Sequence, residues 1–291
     1  MLKKRVISVG VILLGIMISG TLLFLITNSY AMNRMVAREI EELIAETTQA
    51  TVKTFSYEIL EGLPDPVQRY FRYALKDGQE YIRCARMKAV GEFRRPVTPN
   101  WAAFQTQSYV TTDHPALIFD AVMRQNAFIW FDVRDKYVHG KGGMHVNLFS
   151  GFNVLKESDV RELNITALLR WAGEAVMYPT ALLPSEYMRW EPLDEQSARV
   201  IITDGNNTGA YRVYFNAVGE IIRYESDDRY DRIDGIYQRV GSIAYRSHYK
   251  EINGINVPTK FLIVRILPDG IHEEFWKGDV TDIQFNDLAG E

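Results

Sequence analysis

From Val6 to Ile26 the chain reads VISVGVILLGIMISGTLLFLI, 21 residues without a charge. About 20 apolar residues wound as a helix span a bilayer core, so the run predicts one transmembrane anchor. A cleaved signal carries a shorter apolar stretch of about 7–15 residues, although Ser29-Tyr30-Ala31 has the form of a cleavage site. Lys3, Lys4 and Arg5 ahead of the run predict a cytoplasmic N-terminus and a bulk outside the membrane; Arg34 and Arg38 oppose that vote. Gly10, Gly15 and Gly20 are five apart, which is not the four-residue spacing of a helix-pairing face. Helical spacing continues from Met32 to about Ala45, with Glu39, Glu41, Glu42 and Glu46 giving it a polar side. TTQATVKT, residues 47–54, reads as a linker. Three parts follow: stub and anchor over 1–31, juxtamembrane helix and linker over 32–54, and one β-rich domain over 55–291.

Within the domain the period changes twice. Asp65 and Pro66 suit a helix start, and Val67, Tyr70, Phe71 and Ala74 make an i, i+3, i+4, i+7 face. From Tyr81 the alternation is strand-like, and Trp101 to Thr111, Ala116 to Val122 and Ala127 to Val133 are further strand-length runs. Phe128, Trp130 and Asp132 should face one way and Ile129, Phe131 and Val133 the other. Residues 135–144 read as a glycine-rich break. Helical spacing returns over 159–178, apolar around most of its girth, so this helix should be covered on more than one side. Pro179 and Pro184 follow it. Beyond Trp190 strand-length runs alternate with turn signals at Asp204-Gly205, Asn216 to Gly219, Asp234-Gly235, Asn253-Gly254 and Asp269-Gly270. Consecutive hairpins require an antiparallel sheet. The expected architecture is α+β: a transmembrane helix, then a long curved antiparallel sheet, a half-open barrel, packed on one covering helix.

Composition narrows the partners. The 16 Tyr and 14 Phe favour strands. Five of the 33 basic residues precede the first acidic one, Glu39, so residues 39–291 set 28 basic side chains against 37 acidic ones. An acidic domain is repelled by phosphate backbones, so nucleic acid is not an expected partner. Cys84 is the sole cysteine, which excludes an internal disulfide and a lipobox attachment after the anchor.

Catalytic and metal motifs fail on inspection. His272-Glu273-Glu274 begins like a zincin but has no second His at i+4. Asp204 to Gly209 opens like a calcium loop, but its twelfth position is Phe215, not Glu. His139 and His145, and the acidic patch Asp227, Asp228, Asp231 and Asp234, have no spacing that demands a metal. There is no G-x-S-x-G elbow, and Gly140 to Gly143 lacks phosphate-loop spacing and reads as a hairpin. No cofactor and no metal is expected.

Four blocks together carry a resemblance: LPDPVQRYFRYA (63–74), FIWFDVRDKYVHGKGGM (128–144), LLRWAGEAVMYPTALLPSEYMRWEPLD (168–194) and DDRY (227–230). They resemble an uncharacterised family of bacterial, often membrane-anchored proteins, a domain of unknown function, over most of residues 55–286. That layout is similar to the lipoprotein-localisation-factor fold, a half-open barrel that holds acyl chains. The resemblance implies a fold; it does not by itself supply a function.

Three readings remain. One is a non-enzymatic binding domain for a lipid or other hydrophobic ligand, with Trp101, Phe104, Phe128, Trp130 and Tyr137 on the strands and Leu168 and Trp171 on the helix touching it. Another is a protein-binding scaffold of the cell envelope whose sheet is filled by the helix. The third is a hydrolase of envelope material using carboxylates such as Asp132, Glu174 or Asp228. The polar candidates are Asp132, Arg170, Glu174, Asp228 and Arg229. Arg170 and Glu174, four apart on an apolar helix, must pair with each other, face water, or reach across to Asp227-Asp228-Arg229.

Overall fold

The computed structural model describes residues 2–47, 52–95 and 98–288; half of the expected linker, residues 48–51, lies outside them. Helix α1, Leu2–Thr47, carries the apolar run and continues through the juxtamembrane segment without a break. It is the one described helix long and apolar enough to cross a membrane. Its far half lies on the domain, where Leu43 packs with Ala116 and Ile118 and Glu39 pairs with Arg134 and Lys136.

Among the described residues thirteen strands form a single antiparallel sheet. Six run outward from the middle: β1 (Cys84–Phe93), β2 (Ala102–Thr111), β3 (Ala116–Arg124), β4 (Trp130–Val138), β5 (Lys141–Leu148) and β6 (Phe152–Ser158). The chain then crosses the concave face as helix α3 (Arg161–Glu174) and two short 3-10 turns. It returns from the opposite edge through β7 (Met188–Asp194), β8 (Ser197–Asp204), β9 (Asn207–Phe215), β10 (Ile221–Ile233), β11 (Ile236–Ile252), β12 (Ile255–Ile266) and β13 (His272–Phe285), which pairs with β1. The sheet is thus an uninterrupted meander except for one long connection, and that connection has to be α3, because edges β6 and β7 are the two ends of the sheet.

The curl brings the flanks face to face. The Tyr137 hydroxyl donates to Asp204 at 2.7 Å, Asn207 donates to Gly140 O at 2.7 Å, and Arg232 and Tyr237 both reach Glu157. Helix α3 lies between the flanks, touching β3, β4 and β5 on one side and β8, β9 and β10 on the other. Two glycines let it approach. A Cβ on Gly142 would fall 2.7 Å from Leu163 O, and one on Gly209 would fall 2.8 Å from the Leu169 side chain. Helix α2 (Asp65–Ala74) buries Val67, Tyr70, Phe71 and Ala74 against Phe215, Ile221, Val257 and their neighbours, and so plugs one end of the half-barrel.

Several local expectations are corrected. The hairpin expected at the glycines is present but turns earlier than they suggest: β4 runs to Val138, His139 and Gly140 turn with φ of 52° and 76°, and β5 begins at Lys141. Gly142 and Gly143 are strand residues there, pairing with Tyr137 and Lys136. Strand β6 had no counterpart in the sequence pattern, since its alternation is exposed on nearly every residue. The helix expected over 159–178 is regular only to Glu174, after which Pro179 belongs to a 3-10 turn. Strand β4 starts at Trp130, because the Asn126 side chain accepts from the Phe128 and Ile129 amides and folds 125–129 into a turn.

Candidate functional site

Helix α3 divides the concave space. One face, with Leu168, Leu169, Trp171, Ala172 and Val176, joins a solid core that includes Tyr178, Val213 and Tyr224. The other stripe, Leu163, Thr166, Ala167, Arg170 and Glu174, follows the i, i+3, i+4, i+7 spacing of a single helix face and, with Met177 in the 3-10 turn that follows, borders a cavity of about 520 Å³. That size falls within the range of small-molecule sites, about 300–1,000 Å³.

The sheet wall is mostly apolar. Phe119 and Trp276 meet at 5.6 Å between ring centroids, with Phe104 packed behind Trp276 at 5.0 Å. Phe104 can lie flat there because Gly91 and Gly278 place no side chain beneath it; a Cβ on either would come within about 3 Å of its ring. Val133, Phe131, Met123, Phe261, Ile263 and Ala244 continue the lining.

A polar cluster interrupts this lining. The Arg170 guanidinium donates to Asp135 Oδ2 at 2.6 Å and to Glu174 Oε1 at 2.9 Å, and lies 3.7 Å from the centroid of Phe119. Arg246, 5% exposed, donates to the Gly173 carbonyl at 3.0 Å. Burial pushes the Asp135 carboxyl up, against the pull of the Arg170 charge, and pushes the Arg246 guanidinium down. Arg229 also borders the cavity, as does Tyr211, whose hydroxyl donates to Leu169 O at 2.9 Å. Asp135 Oδ1, Glu174 Oε2 and Arg246 Nε are buried with no hydrogen-bond partner among the described residues. Toward the β12–β13 turn, Arg265 is held by Asp231 at 3.2 Å and Glu273 at 3.3 Å.

The residues singled out from sequence separate accordingly. Trp101, Arg170, Glu174 and Arg229 border the cavity, with Trp101 flanked by Arg94 and Lys277 at 5.0 and 4.4 Å. Phe104 stands behind the wall. Leu168 and Trp171 do not face the cavity: they are on the core side of α3, with the Trp171 indole donating to Thr111 O at 2.9 Å. Tyr137 is buried at the flank contact, and Trp130 packs on Phe149 beside the β5–β6 turn. Phe128 is 83% exposed at the β3–β4 turn. Asp132 alternates with the cavity-lining Phe131 and Val133 and so lies on the convex face, beside Asp120. Asp228 accepts from the Ala210 amide and pairs with Arg239.

Asp135, Arg246, Arg265, Phe119 and Trp276 were missed. A period-2 signal existed: Val240, Ser242, Ala244 and Arg246 line the cavity from alternate positions of β11, and Ser242 pairs with Arg265 across β12. Among the described residues no group of three or more His, Cys, Asp or Glu side chains is placed to hold a metal ion.

Two solved structures are similar in outline. One is a DUF1329 family protein from Desulfovibrio piger, 15% identical, with a TM-score of 0.41 over 78% of this chain and 92% of that one. The other is a LolA superfamily protein from Nitrosomonas europaea, 11% identical, with a TM-score of 0.35 over 77% and 93%. No curated protein matches the chain. Residues 61–285 match the model of a family of unknown function, DUF6920, and the chain belongs to that family.

Proposed function

We propose that this chain is a membrane-anchored binding domain for a lipid-like amphipathic ligand, held outside the cytoplasmic membrane by α1. The observation that carries the reading is the void between sheet and helix. Cores pack to crystal-like density with few spaces larger than a water molecule, yet about 520 Å³ remains beside α3. Its walls are aromatic and aliphatic, and its polar groups converge at one place, Arg170 with Asp135, Glu174 and Arg246. Apolar walls suit an acyl-like body, and the partly exposed Arg170, Asp135 and Glu174 side chains suit a polar head. A scaffold whose sheet is simply filled by the helix has no use for such a space.

The hydrolase reading finds less support. Asp132, Glu174 and Asp228 stand on the convex face, on α3 and beside β9 respectively, and Glu174 is occupied by Arg170.

The test is lipid analysis of the full chain purified in detergent, beside a cavity-filling Ala167→Phe variant prepared identically. The wild type should retain close to one apolar molecule per chain that the variant lacks, which separates cavity ligand from lipid clinging to the anchor. Equal lipid content in the two would remove the reading.

A further inference from the structure

Four hairpin turns that border the cavity also carry large apolar side chains turned to solvent. Phe128 in the β3–β4 turn is 83% exposed, Phe152 after the β5–β6 turn 55%, Ile236 after the β10–β11 turn 67%, and Ile271 in the β12–β13 turn 57%. Their own hairpins supply the cavity's outer lining through Gln125, Val154, Arg232, Tyr237 and Phe275. At the opposite end, where α2 closes the half-barrel, the β9–β10 turn exposes Val218 but the β11–β12 turn keeps Ile252 and Ile255 covered. An exposed Phe or Ile on one turn is ordinary; one on each of four turns around a single mouth is a patch that calls for a partner.

The anchor identifies that partner. Phe24, in the last turn of the apolar run, packs on Phe152 at 5.4 Å between centroids. A Cβ on Gly151 would fall 2.5 Å from the Phe24 ring and 3.2 Å from Asn28. From there α1 continues along the convex face, so that Glu39, 15 residues further and about 22 Å along the axis at 1.5 Å per residue, meets Lys136 at 3.3 Å. The mouth therefore sits level with the point at which the hydrophobic run ends and the polar half of the helix begins, the depth of a membrane interface.

We infer that the tips Phe128, Phe152, Ile236 and Ile271 dock on the phospholipid surface in which α1 is anchored, seating the mouth of the cavity against the bilayer. Aromatic and aliphatic tips entering the boundary between headgroups and acyl chains bury their apolar area in proportion to what they expose. An amphipathic molecule would then pass between leaflet and chamber without crossing water. The docking goes beyond the binding reading and does not depend on it, since the tips would touch lipid even with the chamber empty.

The test uses the full chain in phosphatidylcholine nanodiscs. Single Ile236→Cys, Ile271→Cys and Val218→Cys variants are labelled with one fluorophore; the native Cys84 is buried. Doxyl groups on the phospholipid chains should quench the labels at 236 and 271 at least twofold more than the label at 218, and aqueous iodide should show the reverse order. Labels at 236 and 271 quenched by lipid no more than the one at 218 would overturn the docking. Lipid quenching at the tips with no ligand in the cavity would keep the docking and remove the binding reading, and the converse result would do the opposite.

Discussion

Arg170 on α3 and Asp135 on β4 join helix to sheet at 2.6 Å, inside a cavity whose other walls are largely apolar. Both side chains are only 16% exposed, and the same guanidinium holds Glu174. Two carboxylates thus depend on one cation, and removing that cation leaves them buried and uncompensated. Arg170→Met should cost about 3–5 kcal/mol of folding stability, whereas Arg170→Met combined with Asp135→Asn and Glu174→Gln should recover much of that loss. Denaturant midpoints of the three proteins measure it. A single variant as stable as the wild type would show that the cluster does not tie α3 to the sheet.

The two sides of α3 should respond in opposite ways. Leu168 is fully buried in the core beneath the helix, so Leu168→Glu forces a carboxyl into an unpaired site at several kcal/mol and should unfold the domain. Ala167 borders the void, so Ala167→Phe should leave the domain folded, at a cost of no more than about 1–3 kcal/mol, while removing binding capacity. Thermal melts with circular dichroism distinguish the outcomes. Unfolding by the Ala167 change alone would mean that the void cannot accept a side chain.

Helix α3 rests on a glycine. With Leu163 O only 2.7 Å from where a Gly142 Cβ would stand, Gly142→Val must push the helix off β5, at about 1–3 kcal/mol for an overpacked contact. Val146→Ala on the same strand provides the comparison, since it removes volume instead. A Gly142→Val protein with an unchanged melting temperature would contradict the close approach.

On the convex face, burial and the neighbouring Asp132 push the Asp120 carboxyl up to about 6. Its folded pKa exceeds its unfolded value near 3.9, so the folded state holds the proton more tightly. The contribution to stability is therefore most favourable below about pH 4 and is lost as pH rises through 6. Asp120→Asn should gain on the wild type by about 1–2 kcal/mol at pH 8 and by little at pH 4. Melting temperatures of both proteins across that range provide the check. A difference that does not grow with pH would show that Asp120 titrates normally.

The fold was legible where period and turn chemistry agree. Asp-Gly and Asn-Gly steps at 204, 234 and 253 mark real hairpins, and the Asp65-Pro66 start marks α2. Strand β6 was not, because an edge strand with Phe152 and Val154 exposed presents no buried alternation. The hairpin at Gly140 to Gly143 was legible but its turn was not, since chain reversal falls at His139 and Gly140 while Gly142 serves the approach of α3. Arg170 and Glu174 could be found as charges stranded on an apolar helix. Their third partner, Asp135, could not, since it lies 35 residues upstream on a strand and only the curl of the sheet brings it close. Which side of α3 faces the void was hidden as well, because Leu163 and Ala167 are as apolar as Leu168 and Ala172.

The most direct measurement of the central claim is titration of the full chain with a naphthyl-labelled fatty acid, read by energy transfer from the cavity-lining Trp101 and Trp276. The account predicts saturable transfer near one probe per chain, displaced by unlabelled phospholipid and at least tenfold weaker in Ala167→Phe. Transfer that rises without saturation and equally in both proteins would show that the probe dissolves in the membrane and that the chamber holds no ligand.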